Sequence, residues 1–185
     1  EGEGSVLFVD LADFTWFSEI HPPTEVIGML NDYWAAVVPL VEAGGGLIEQ
    51  FAGDGIMVIF NAVGDQPDHA TWAADSALAI LRVTDRLAAA HPGWPRFRVG
   101  VNTGPAVVGN VGAAGRRSFA AIGDTANLGA RLMAAGEPGQ VVVGGATWRE
   151  LGAAGHEADG VALGSIRVKG KQNPVEAWRL RALSS

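Results

Sequence analysis

Two apolar runs joined by a tight acidic turn constrain this chain most. Leu47-Ile-Glu-Gln-Phe51 enters Ala52-Gly-Asp-Gly55, and Ile56-Met-Val-Ile-Phe60 leaves it. Glycines on both sides of Asp54 suit a short reverse turn, so the segment reads as a β-hairpin. Val6-Leu-Phe-Val9, ending in Asp10, is a continuous apolar run and reads as a buried strand. Asp13 to Glu19 reads as a capped helix stopped before Pro22-Pro23, with residues 1–5 as a linker. A longer helix opens at Thr24, with Val26, Ile27, Leu30, Trp34, Val37, Val38 and Val41 at helical spacing. Pro39 kinks or ends it, and Gly44-Gly-Gly46 is a stop. Asp68 to about Ala90 is the next helix. Phe97, Val99 and Val101 alternate with Arg98, Gly100 and Asn102 as a half-buried strand, and Thr103 to Ala106 turns into a further run, Val107 to Val111. A polar arm, Gly112 to Ser118, leads to a strand at Phe119 to Ile122 and a helix over Thr125 to Ala135. A strand at Gln140 to Val143 precedes a short helix over Ala146 to Leu151. The last strands fall near Val161 to Val168 and Val175 to Leu180. This order predicts an α+β fold: a ferredoxin-like (palm-like), mostly antiparallel sheet with helices packed on one face. The folded unit is expected over residues 6–181, with a tail at 182–185.

Composition removes whole classes of function. The 185 residues contain no Cys, which excludes disulfides, thiolate nucleophiles and iron–sulfur clusters. Lys and Arg number 13 against 20 Asp and Glu, a net charge of −7. Such a chain is a poor general partner for nucleic acid or an anionic membrane, and neither is expected. It can still bind a phosphate ligand through a bridging metal ion. No apolar run approaches the ~18 residues that span a bilayer, and no leader is expected. The cytoplasm is the expected location, alone or as part of a larger, membrane-anchored protein. His21, His69, His91 and His156 are scattered without a ligand pattern.

Asp10 ends an apolar strand and Asp54 tips the hairpin. Laid side by side in one sheet, the two carboxylates meet at a shared edge. Two hard oxygen ligands on rigid strands suit Mg²⁺, and two such ions can clamp a phosphoryl displacement. Taken singly, each aspartate is also an ordinary cap or turn residue. Asn127 and Arg131 lie four apart on a predicted helix and share one face, so an amide and a guanidinium can reach one ligand.

Four segments carry a resemblance: Phe8-Val-Asp-Leu-Ala-Asp-Phe-Thr15, the Gly53-Asp54 hairpin, Gly123-Asp-Thr-Ala-Asn-Leu-Gly-Ala-Arg131, and Val168-Lys-Gly-Lys-Gln-Asn-Pro-Val175. In that order they resemble the catalytic domain of bacterial class III nucleotidyl cyclases, over about Val6 to Leu180. The resemblance implies a head-to-tail homodimer with two sites at its interface. It implies two divalent cations, Mg²⁺ or Mn²⁺, on Asp10, Asp54 and the backbone carbonyl of Leu11. Backbone amides of Ala12, Asp13, Phe14, Thr15, Trp16 and Phe17 would face a triphosphate at a helix N-terminus. Asn127 would position the ribose, Arg131 would stabilise charge on the α-phosphate, and Lys169 would hold the terminal phosphate.

Two positions depart from that family. Adenylyl cyclases usually carry Lys four residues before the hairpin aspartate, and Asp or Thr seven before the asparagine. Here these base-specifying positions are Gln50 and Ala120. A rotatable amide beside a methyl group cannot discriminate strongly between adenine and guanine. A one-residue slip in the hairpin would put Glu49 in place of Gln50 and favour GTP. The count from Gly53-Asp54 favours Gln50. The expected activity is an adenylyl cyclase that turns ATP into cyclic AMP and pyrophosphate with weak base selectivity. The alternatives are a catalytically weak nucleotide-binding and dimerisation module, or a guanylyl cyclase acting on GTP.

Overall fold

A computed structural model describes residues 2–62, 65–111, 118–167 and 173–184, and the backbone alone at 106–111 and 118–122. The elements in chain order are β1 (Gly2–Leu11), α1 (Phe14–Ile20), α2 (Pro23–Ala43), β2 (Leu47–Ala52), β3 (Gly55–Phe60), α3 (His69–Ala90), β4 (Phe97–Val111), β5 (Ser118–Ile122), α4 (Asp124–Ala135), β6 (Val141–Gly144), α5 (Gly145–Ala153), β7 (Glu157–Ile166) and β8 (Val175–Ser184). The sheet runs β2-β3-β1-β4-β6-β8-β7, with β5 paired to β4 beside that path. Only the β4–β6 pairing is parallel among the described strands. The expected α+β sheet is the observed one, and β1 lies beside the hairpin strand β3, with Asp10 opposite Gly55.

Alternation along β1 sorts the two faces. Leu7, Val9 and Leu11 join Val58, Phe60, Val99 and Val101 in a core capped by Tyr33 and Val37 of α2 and by Ala77 and Ile80 of α3. Tyr33 is fully buried, and its hydroxyl donates to the Pro95 carbonyl at 2.8 Å. Burying these apolar side chains stabilises the fold by ~1.5–3 kcal/mol for each large one.

The sequence predicts helices on one face only; the structure differs, with α4 covering the other. Gly129 of α4 lies against Phe8 of β1, where a Cβ would stand 3.1 Å from the ring. Gly100 of β4 lets α4 approach still closer. A Cβ there would meet the Met133 backbone nitrogen and stand 2.6 Å from the Gly129 carbonyl oxygen. Neither neighbour is a side chain that can swing away. Gly100→Ala is therefore expected to lift α4 off the sheet and destabilise the protein by about 3 kcal/mol. Urea denaturation checks this; an unchanged midpoint would refute the close contact.

Several boundaries differ from the sequence expectation. Residues 2–5, read as linker, are strand: β4 continues far enough to pair with them, Gly2 lying opposite Ala106. Ser5 is fully buried and hydrogen-bonds His69 Nδ1 at 2.9 Å and Thr103 Oγ1 at 2.7 Å. Thr103 Oγ1 in turn lies 3.0 Å from Thr147 Oγ1, so these polar groups satisfy one another inside the core. The expected turn over Thr103 to Ala106 is continuous strand within β4. Residues 182–184, read as tail, lengthen β8 and pair with β7. Pro39 sits inside α2, which runs on to Ala43. Asp13 holds the N-cap position of α1 in a left-handed conformation (φ 58°), but its side chain makes no capping bond. No described helix is long and apolar enough to cross a membrane.

Candidate active site

The ends of β1 and β3 build the acidic edge. Past the Asp10–Gly55 pair, the Leu11 amide donates to the Asp54 carbonyl at 3.0 Å. This stitches the hairpin tip to the end of β1. Gly55 is required for that approach, since a Cβ there would sit 2.9 Å from the Val9 carbonyl oxygen. From the other side Trp34 of α2 donates its indole N–H to the Gly53 carbonyl at 2.8 Å and meets Phe51 edge-on. Asp54 is thus carried on a turn clamped from two elements.

Asp10, Asp54 and Gln50 line one cavity of about 240 Å³, with Phe8, Met57 and Met133 as its apolar walls. Burial pushes the Asp10 carboxyl above the usual carboxylate range, and the neighbouring charge of Asp54 pushes it further. Arg98 opposes both. It stands opposite Asp10 across the β1–β4 pairing, with Nη2 3.4 Å from Asp10 Oδ2. Its Nε is buried without a hydrogen-bond partner. Two carboxylates that repel one another, only partly offset by one guanidinium, form an edge that favours a cation.

The donor set fits a divalent ion of the Mg²⁺ type. Among the described residues no group of three or more His, Cys, Asp or Glu side chains could hold a metal. Two carboxylates suit an ion that keeps several waters and takes its remaining ligands from phosphate oxygens.

The other expected residues divide clearly. Of the stretch 12–17, Ala12 donates its amide to the Arg96 carbonyl at 2.9 Å, and Phe17 donates to the Asp13 carbonyl at 3.1 Å. These two amides are hydrogen-bonded within the protein. The amides of Phe14, Thr15 and Trp16 remain as the first turn of α1. Gln50 pairs with Met57, on the Asp10 side of the sheet, and β2 approaches β5, which carries Ala120 opposite Gly109. Asn127 is exposed and Arg131 half-buried, while α4 buries Thr125, Ala126, Gly129 and Leu132. Neither Asn127 nor Arg131 lines the Asp10 cavity; Met133 is the α4 residue that does. Lys169 and residues 112–117 of the arm lie outside the described residues.

Sequence reasoning missed Arg98 and Trp34. Arg98 had one signal, a cation alternating with buried Phe97 and Val99. Trp34 had none beyond its place on the apolar stripe of α2.

Residues 2–182 match the family described as the adenylate and guanylate cyclase catalytic domain. Adenylate cyclase 1 of Rhizobium meliloti (strain 1021) is 40% identical over 134 residues, 70% of this chain and 20% of that protein. An uncharacterized protein of Mycobacterium bovis, Mb1354c, is 33% identical over 175 residues, 92% of this chain and 30% of its own. The chain therefore spans less than a third of the length of these curated relatives. Among solved structures, the adenylyl cyclase CyaB from P. aeruginosa superposes with a TM-score of 0.87 at 27% identity, over 97% of this chain and 94% of that one. The guanylyl cyclase Cya2 superposes with a TM-score of 0.83 at 30% identity, over 99% and 93%.

Proposed function

This chain belongs to the adenylate and guanylate cyclase catalytic domain family, and on that premise we propose that it converts ATP to 3′,5′-cyclic AMP and pyrophosphate. The observation that carries the reading is the pairing of Asp10 with Asp54 at one sheet edge, with Arg98 against Asp10 and Gln50 in the same cavity.

Asp10 and Asp54, with the Leu11 carbonyl, would hold two Mg²⁺ or Mn²⁺. When bound, such ions supply positive charge for the triphosphate and acidify the ribose 3′-hydroxyl. Arg98, with Nη2 3.4 Å from Asp10 Oδ2, favours the ionised form of Asp10 that a metal ion needs. The amides of Phe14 to Trp16 face the triphosphate at the positive end of α1, and Lys169 holds the terminal phosphate. The 3′-hydroxyl gives its proton to solvent water, and its oxygen attacks the α-phosphorus in line. The bond to the bridging oxygen breaks and pyrophosphate leaves. Asn127 orients the ribose, and Arg131 stabilises the charge that builds on the α-phosphate. Both come from a second copy of the chain in a head-to-tail homodimer. No side chain is needed as a dedicated base.

Base selectivity falls to Gln50 and Ala120. Gln50 donates or accepts by turning its amide, and Ala120 offers no polar group. Product analysis with ATP and GTP, under Mg²⁺ and under Mn²⁺, tests the whole reading. Cyclic AMP is the expected main product, with kcat/KM for ATP over GTP of roughly 10² or less. Gln50→Lys shifts the balance further to ATP, because Lys only donates and adenine N1 only accepts. A ratio above about 10³ for either nucleotide would overturn the permissive reading. Absence of any cyclic product would favour a nucleotide-binding and dimerisation module.

A further inference from the structure

A second cavity, of about 870 Å³, opens between α3, the turn at 138–140 and β8. It shares no lining residue with the cavity of Asp10 and Asp54. Four arginines line it, Arg82, Arg96, Arg179 and Arg181, against one carboxylate, Asp75. The chain as a whole carries a net charge of −7, so positive charge is concentrated here. Leu78, Leu81 and Leu183 supply apolar wall.

Two of the guanidinium groups are held by the protein. Arg96 donates through Nε and Nη2 to the two oxygens of Asp85, at 2.9 and 2.7 Å. It also lies against Gly139, where φ is +79° and a Cβ would stand 2.6 Å from the Arg96 Cζ. Arg181 donates to Asp159 at 2.7 Å. Neither Asp85 nor Asp159 lines the cavity. The other two arginines differ. Arg179 is half-buried and makes no hydrogen bond or ion pair among the described residues. Arg82 feels the charge of Asp75 but forms no ion pair with it. The cavity thus offers two guanidinium groups, one from α3 and one from β8, that no carboxylate contacts.

We propose that this cavity is a second ligand site, separate from the acidic edge, and that it takes a small phosphate monoester with an apolar body. A phosphate monoester carries close to two negative charges and presents three acceptor oxygens, enough to meet both Arg82 and Arg179. A carboxylate carries one charge and leaves one of the two guanidinium groups unanswered. The planar donor fork of arginine suits phosphate oxygens. The leucine wall calls for an apolar body beside the phosphate, and the volume falls within the roughly 300–1,000 Å³ of small-molecule pockets. Arg96 and Arg181 are already fixed, so the positive wall they form needs no ordering when the ligand enters.

Calorimetric titration with phenyl phosphate tests this, at about pH 8 where the phosphate is a dianion, and in EDTA to keep divalent ions from the acidic edge. Saturable binding is expected in wild type, with the same affinity in Asp54→Ala. Arg179→Gln and Arg82→Gln should each raise Kd about tenfold or more. Inorganic phosphate, which lacks the apolar body, should bind at least about threefold more weakly than phenyl phosphate. Absence of saturation up to about 10 mM overturns the proposal, as does loss of binding in Asp54→Ala, which would place the ligand at the acidic edge. Either arginine variant within about twofold of wild type overturns it too. Equal affinity for the two phosphates overturns the apolar half of the assignment. Melting curves accompany each variant; Arg82 is exposed, so Arg82→Gln decides the matter if Arg179→Gln fails to fold.

Discussion

Asp54→Ala is expected to lower cyclisation roughly 10³-fold or more while the protein stays folded, because it removes one of the two carboxylate ligands from a two-ion site. The two halves of this expectation rest on different atoms. The structural contacts of the turn are made by backbone: the Asp54 carbonyl accepts from Leu11, and the Gly53 carbonyl accepts from Trp34. Alanine keeps both. The Asp54 side chain instead raises the Asp10 carboxyl by repulsion. Deleting it relieves that repulsion, so thermal stability without metal should hold or rise as activity collapses. A variant that lost both together would show only that the turn had broken. Rates and melting curves on the same preparation separate the cases. Activity within about tenfold of wild type would sink the metal assignment.

The acidic edge was legible in the sequence because it is made by local pattern. Val6 to Val9 and Ile56 to Phe60 are unambiguous buried runs, and the Gly53-Asp54 turn fixes where each carboxylate falls. Arg98 was not legible, because its partner Asp10 lies 88 residues away and reaches it through the β1–β4 register. Alternation says that Arg98 leaves the core face; it does not say what waits there. The side of the sheet taken by α4 was hidden for a similar reason. A helical stripe shows that a face is buried, whereas the choice of sheet face is made by Gly100 and Gly129, where backbone and ring come into contact. The bulge in β2, where Glu49 is an extra residue between Ile48 and Gln50, leaves no trace in an apolar pattern, since one inserted residue changes direction without changing composition. Residues 2–5 misled for the opposite reason: Gly and Glu are weak strand formers, yet Ser5 is drawn in by His69 and Thr103.

Mixing chains that carry Asp54→Ala with chains that carry Arg131→Ala should restore activity that neither has alone. The expectation begins with α4. Its inward residues are spent on the sheet, and Asn127 and Arg131 stand apart from the cavity of Asp10 and Asp54. On the proposed reading, the acidic edge and the Asn127–Arg131 face are therefore two half-sites to be joined by a second copy. In the proposed dimer, head-to-tail pairing would set the acidic edge of each copy against α4 of the other. Arg131→Ala removes a donor to developing charge, which lowers turnover roughly 10²–10³-fold. In a mixed dimer one site collects both substitutions, and the other has wild-type Asp54 from one copy and wild-type Arg131 from its partner. With equal amounts and free exchange, half the dimers are mixed and each holds one intact site of two. The recovered rate should then be about a quarter of wild type. Its dependence on total concentration should follow subunit exchange. Chains shown to exchange, by a label carried on one variant, that still fail to complement would mean that Asp54 and Arg131 serve one site within a single chain.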